Sequence, residues 1–271
     1  MTGRQTFLHA LAAAVMMVAA ATASGQAQGQ GPGQGQGRGV APPAAPPTPR
    51  AGALIDLTGY WVSLVTEDWR YRQFTPPKGD YVSIPLNAAG RKLADAWDPA
   101  RDEAAGEQCR AYGAAGVLRM PGRLHITWQD DTTLKLDTDA GPQTRTLHFG
   151  QPQGTADTWQ GVSVASWDQP RALFPSPIPN RGGPTMTGGS LKVVTTNMKP
   201  GYLRRNGVPY SAGAVQTEYV DRFDVPGGDS FIVVTAELVD PEYLTTPYWT
   251  STHFKRQGDA TGWRPTPCTA R

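Results

Sequence analysis

Six consecutive residues, Glu67-Asp68-Trp69-Arg70-Tyr71-Arg72, form the densest polar and aromatic cluster of the chain. Two neighbouring carboxylates can shift each other's protonation and divide acid and base work. On a strand, however, successive side chains point to opposite faces, so Glu67 and Asp68 are expected not to share a pocket. Ion pairing with Arg70 and Arg72 at the rim of a β-structure is the simpler role. The alternative is a ligand-contacting rim, with Glu67, Trp69, Arg70 and Tyr71 as its candidates. Tyr112, Trp128 and Trp159 can also line a cavity or stack on a sugar, although aromatics on half-buried strands more often build the core.

Three histidines follow the N-terminal leader: His125, His148 and His253. A metal needs ligands that converge on one ion. None of the three sits in an H-x-H or H-x-x-E-H pattern, and each falls on a different expected strand, so no metal site is assigned. His125 and His148 join the ligand-binding candidates, because either one beside Glu67 would make a pocket capable of acid–base work. No nucleophile elbow, phosphate-binding loop or dinucleotide fingerprint is present. No catalytic residue and no cofactor is assigned.

The elements that would hold these residues follow from composition. The 271 residues include 31 Gly and 25 Pro. Both are poor inside helices, which argues against a helical bundle. A hydrophobic content of 39% and 8 Trp argue against disorder over the whole length. Residues 1–23 read as a secretory signal: Arg4, an apolar run over 10–23, and an A-x-A site at Ala21-Thr22-Ala23. A membrane anchor is the rival reading, but the run is short for a bilayer span. Residues 24–52 are Gly/Gln-rich and then Pro-rich, and are expected to be a disordered tether. The first 52 residues hold three Arg and no acidic residue, leaving 22 basic and 23 acidic side chains for 53–271. The basic pI of the chain therefore comes from its N-terminal segment, and a nucleic-acid partner is not expected. After signal cleavage no segment is long and apolar enough to be an integral membrane helix. Nothing in the sequence determines the oligomeric state.

Residues 53–271 read as a single β-rich domain. Strands are expected at 57–65, 123–129, 133–138, 143–149, 159–167, 190–198, 214–223, 230–239 and 248–255, from period-2 alternation broken by turns. Residues 66–72 are expected to turn or to continue the first strand. The best helix is 88–97, capped by Asn87. Pro226-Gly227-Gly228-Asp229 marks a hairpin turn. Residues 169–189 form a Pro/Gly-rich loop, a candidate lid over a cavity. Cys109 and Cys268 form an even pair in an exported chain and are expected to bond, closing a loop worth roughly 5 kcal/mol on the chain-entropy model. A reactive thiol is the alternative, although no nucleophile motif surrounds Cys109. The fold class is all-β with one or two short helices: an antiparallel barrel, or alternatively a β-sandwich.

Gly59-Tyr60-Trp61 resembles the Gly-x-Trp opening of the lipocalins and related calycin barrels. That resemblance implies an eight-stranded barrel closed at one end by the tryptophan, with an arginine of the last strand packed on it. Arg256 ends the last expected strand, and Arg264 follows it. The insertion over 76–122 departs from ordinary lipocalins. Over 54–271 the chain is also similar to a family of secreted bacterial β-rich proteins, through Asp56-Leu57-Thr58-Gly59-Tyr60-Trp61, Cys109-Arg110-Ala111-Tyr112-Gly113, Gly207-Val208-Pro209-Tyr210-Ser211 and Asp240-Pro241-Glu242-Tyr243-Leu244 among others. This second resemblance implies an exported single domain and supplies no catalytic residues. The leading functional expectation is a periplasmic or secreted barrel binding a small, partly apolar molecule in its cavity. An isomerase, hydratase or hydrolase on the same barrel, and a carbohydrate-binding sandwich, are the alternatives.

Overall fold

The computed structural model of the protein describes residues 45–152, 157–169 and 188–271, and Ala45–Arg271 is one compact unit. Strand β1 (Gly59–Leu64) is followed by four short helices: α1 (Trp69–Gln73), α2 (Ala88–Asp95), α3 (Pro99–Ala104) and α4 (Ala114–Val117). A 3-10 turn, Arg110–Tyr112, precedes α4. The strands then run β2 (Arg123–Trp128), β3 (Thr133–Thr138), β4 (Thr144–Phe149), β5 (Val162–Asp168) and β6 (Ser190–Thr196). A small hairpin follows, β7 (Gly201–Arg204) and β8 (Val208–Tyr210), and then β9 (Val215–Asp224), β10 (Ser230–Val239) and β11 (Tyr248–Gln257).

Nine strands close into a barrel in the order β1-β11-β10-β9-β6-β5-β4-β3-β2, and β7 pairs only with β8. All nine strands read from alternation are present in the ring. The chain is therefore all-β with a closed sheet, and no open sandwich forms. Two features differ from expectation. The ring has nine strands where the lipocalin resemblance implies eight. One neighbour pair, β4 with β5, runs parallel while every other pair is antiparallel. A parallel pair needs a connection that returns to the starting end of the barrel, and β5 accordingly starts at the end where β4 starts.

Alternation sorts the strands into an inner and an outer face. Leu124, Ile126, Leu134, Leu136, Leu191, Val193, Ile232 and Phe254 fill the interior. Trp61 is wholly buried, and its indole N–H donates to the Leu57 carbonyl at 2.9 Å. The Arg256 guanidinium lies 5.8 Å from the centre of the Trp61 ring. Where β9 turns into β10, Gly227 and Gly228 take φ of 109° and 91°, values that favour glycine.

Residues between β1 and β2 cover one end of the barrel, together with the β7–β8 hairpin. They are more helical than the sequence suggests. The α2 helix starts as read, with the Asn87 side chain accepting from the Gly90 N–H at 2.9 Å. The α1 helix replaces the expected turn or strand continuation over 66–72. These helices and the hairpin bury a second cluster that includes Tyr81, Ala94, Leu203, Val208 and Tyr210. Gly207 turns the hairpin at φ 79°, and a Cβ there would meet the Trp97 ring at 2.1 Å, so no other residue fits. Most of the loop proposed as a lid, 170–187, lies outside the described residues, as does the N-terminal segment 1–44.

Cys109 and Cys268 are bonded, with Cα atoms 5.1 Å apart. The bond ties the C-terminal segment to the cap, where Tyr112 and Met120 pack near Cys268. Replacing both cysteines with serine should cost roughly 2–5 kcal/mol and lower the thermal midpoint by roughly 5–15 °C, read by calorimetry. An unchanged midpoint would mean that the cap holds the tail without the covalent tie.

Candidate functional site

The interior of the barrel is the first place to look. On β4, Arg145 shares its face with Leu147, so a charge is carried inside. Its two terminal nitrogens donate to Glu218 of β9 at 3.0 and 2.6 Å, and one also reaches Thr195 Oγ1 at 3.3 Å. Thr195 in turn bonds Ser163 Oγ at 2.8 Å. Both charged side chains are 2% exposed. Beside this pair lies a void of about 20 Å3 with otherwise aliphatic walls, among them Leu118, Leu136 and Ile232. That is room for one or two water-sized groups. Every side chain around it is buried.

A second cavity lies outside the barrel, where α1 meets the β7–β8 hairpin. Asp68 begins α1 in the left-handed region, at φ 50°, and its carbonyl accepts from the Tyr71 and Arg72 N–H groups. This turn bends the chain out of the strand path. As a result Glu67 and Asp68 do not diverge as strand neighbours would. Both approach Arg119, Asp68 at 2.5 Å and Glu67 at 3.7 Å. Glu67 also holds Arg72 at 2.5 Å. Arg72 is buried, and donates further to the Arg119 carbonyl at 3.1 Å and to Ser63 Oγ at 3.0 Å. Burial, and then the neighbouring Arg119 charge, bring the Arg72 guanidinium down to about 10, which leaves it protonated at neutral pH.

Buried Arg72, Met120, Leu203 and Arg204 floor this cleft, and half-buried Tyr71, Arg119 and Arg205 form its rim. Its free volume is also about 20 Å3. Arg204 donates to the Val82 carbonyl at 2.8 Å and lies 4.2 Å from the centre of the Tyr71 ring. Its Nη2 has no partner. Arg205 donates to the carbonyls of Arg72 and Gln73 at 3.2 and 3.4 Å. Among the described residues neither Arg204 nor Arg205 has a carboxylate within 4.0 Å.

A chain of hydrogen bonds adjoins the cleft on the outer face of β11. Thr66 Oγ1 donates to Glu67 Oε2 at 2.6 Å. With its proton committed there, Thr66 accepts from His253 Nδ1 at 2.7 Å, and Glu67 Oε2 lies 3.2 Å from the same nitrogen. A proton on Nδ1 leaves Nε2 as the acceptor for Ser251 Oγ, at 3.1 Å.

Of the candidates read from the sequence, Glu67, Arg70 and Tyr71 come together. Arg70 pairs with Asp80 at 2.8 Å and lies over the Tyr71 ring. Trp69 points into solvent at 58% exposure. The others lie elsewhere. Tyr112 packs near the disulfide. His125 stacks on Tyr60 at 4.0 Å on the barrel's outer face, and His148 bonds Thr146 at 3.1 Å. Trp128, Phe149 and Trp167 form a row of rings at the barrel end crossed by the segment before β1, where Trp167 donates to the Pro49 carbonyl. The histidine beside Glu67 is His253. Sequence reasoning also passed over Arg119, Arg204, Arg205 and Ser251; the one Arg-Arg doublet of the chain was the available signal. Among the described residues no group of three His, Cys, Asp or Glu side chains is placed to hold a metal. No family model, no curated protein and no solved structure matches the chain.

The interior pair gives a direct test of how the barrel tolerates its charges. Glu218→Leu strands Arg145 and should cost roughly 3–5 kcal/mol in chemical denaturation, whereas Arg145→Met with Glu218→Leu should recover most of that loss. A double variant as unstable as the single one would show that the charges themselves organise the ring.

Proposed function

We propose that the protein is an exported binding protein that takes a small, partly apolar molecule in the cleft between α1 and the β7–β8 hairpin. One observation carries this reading: the cleft joins a buried floor, apolar at Met120 and Leu203 and cationic at Arg72 and Arg204, to a half-buried rim that solvent reaches. The barrel interior is the rival location. Its walls are closed off, and its charges are engaged with each other. A ligand there would have to displace packed side chains. The Cys109–Cys268 bond supports export, since such bonds persist in oxidising compartments. Among the described residues no helix is long and apolar enough to cross a membrane.

The two locations separate by substitution. Protein purified from its own host and examined by native mass spectrometry should retain a small molecule. Tyr71→Ala should weaken its retention by about 3- to 10-fold. Leu136→Phe, which fills the interior void, should leave it unchanged. The reverse pattern would move the ligand into the barrel.

A second reading rests on the hydrogen-bonded row Ser251–His253–Glu67, which has the order of a nucleophile, a base and an orienting carboxylate. On this reading the protein is a hydrolase of activated esters: Ser251 Oγ attacks the carbonyl as His253 Nε2 takes its proton, that proton passes to the departing alcohol as the ester C–O bond breaks, and a water deprotonated by the same nitrogen then hydrolyses the acyl-serine and restores the Ser251 hydroxyl. A fluorophosphonate probe should then label Ser251, seen in intact mass, and Ser251→Ala and His253→Gln should abolish the label. Labelling that persists in Ser251→Ala sinks this reading.

A further inference from the structure

Four arginines line the cleft and a fifth, Arg70, lies over the Tyr71 ring, and their partners divide unevenly. Arg70 has Asp80, Arg72 has Glu67, and Arg119 has Asp68. These pairs use the carboxylates within reach. Arg204 and Arg205 are left with backbone carbonyls and an aromatic face, and no carboxylate within 4.0 Å among the described residues. Arg204 is 5% exposed, and its Nη2 has no hydrogen-bond partner. A buried guanidinium with an unused N–H is costly unless something occupies the position. Residues 53–271 as a whole are close to neutral, so this surplus is a local arrangement and not a general basic character.

Resting on the reading of the cleft as a ligand site, we infer that the ligand carries an oxyanion, a carboxylate or a phosphate group, which Arg204 and Arg205 bind at the cleft floor and rim. Guanidinium nitrogens match the paired oxygens of both groups, and charge-assisted bonds of this kind are the strong ones. The space, about 20 Å3, admits one or two water-sized groups, so the leading oxygens of such a head enter it while the remainder of the molecule lies against Tyr71 at the rim. The depressed Arg72 guanidinium fits this picture. Burial and the like charge of Arg119 both lower it, and an anion in the cleft would offset the like-charge part. The contact with the Tyr71 ring holds the Arg204 guanidinium plane in place.

The experiment is calorimetric titration of the full-length protein with three probes: benzoate, benzyl alcohol and inorganic phosphate. Benzoate and benzyl alcohol share an aromatic body and differ in charge. The inference expects benzoate or phosphate to bind with one-to-one stoichiometry, more weakly as salt rises, and benzoate to bind at least tenfold more tightly than benzyl alcohol. Preference for benzoate over phosphate assigns a carboxylate head, and the opposite preference a phosphate. Arg205→Gln, at the half-buried rim, should weaken the anion at least fivefold without affecting benzyl alcohol. Arg204→Gln should abolish the preference for the anion, and Arg204→Lys should restore part of it. Circular dichroism checks that the buried-site variants fold; if they do not, Arg205→Gln alone decides. Equal binding of benzoate and benzyl alcohol, or anion binding indifferent to Arg205→Gln, overturns the anionic head and leaves the cleft as a ligand site. Failure of all three probes counts against both.

Discussion

A ring of nine strands cannot alternate direction all the way round, so one neighbouring pair must run parallel. Here that pair is β4 and β5. A hairpin cannot join parallel strands, so β5 starts at the same end of the barrel as β4. That is the end where the cap sits. There the Trp159 carbonyl accepts from the Ala114 N–H, and the Trp159 indole donates to the Pro200 carbonyl. The approach to β5 therefore fastens the cap to the closed sheet. The first strand completes the closure by pairing on both edges, with β11 and with β2.

Closure leaves an interior that side chains nearly fill. The Arg145–Glu218 pair is engaged on both terminal nitrogens, and Thr195 and Ser163 extend it into a polar layer below the cap. A buried ion pair of this kind seldom adds much stability over apolar packing, because desolvation offsets the attraction. It does engage both terminal nitrogens of Arg145 and both carboxylate oxygens of Glu218 with each other. The chemistry that remains free is pushed outward, to the place where the cap meets the wall of the barrel.

That junction exists because a short helix leaves β1 in a left-handed turn at Asp68. The turn swings Glu67 and Asp68 onto the same side, toward Arg119 and Arg72. It also sets Tyr71 under Arg204 from a hairpin that is remote in sequence. Glu67 links the cleft to the Ser251–His253 pair, since one carboxylate holds the cleft-lining Arg72 on one side and faces the histidine on the other.

Much of the frame could be read from the residues alone. Alternation located all nine barrel strands, because a strand half-exposed on a barrel wall repeats with the period of its pleat. Asn87 as a cap, the Gly227-Gly228 turn and the cysteine pair were legible for equally local or compositional reasons. Arg145 was visible in phase with Leu147 and Phe149, although only the fold supplied Glu218 opposite it. The helix over 69–73 was not legible because five residues carry too little periodicity to be told from a strand end. The direction of β5 depended on the crossover, and no pattern within the strand itself encodes direction. The cleft was the least legible feature. Its walls come from residues 71–72, 119–120 and 203–205, brought together by the closure of the ring and the seating of its cap. Local pattern thus determined which segments are strands and which face of each is buried. Tertiary packing alone decided which charges around the cleft found partners and which two of its arginines have no carboxylate among the described residues, since pairing depends on distances between segments that no periodicity along the chain specifies.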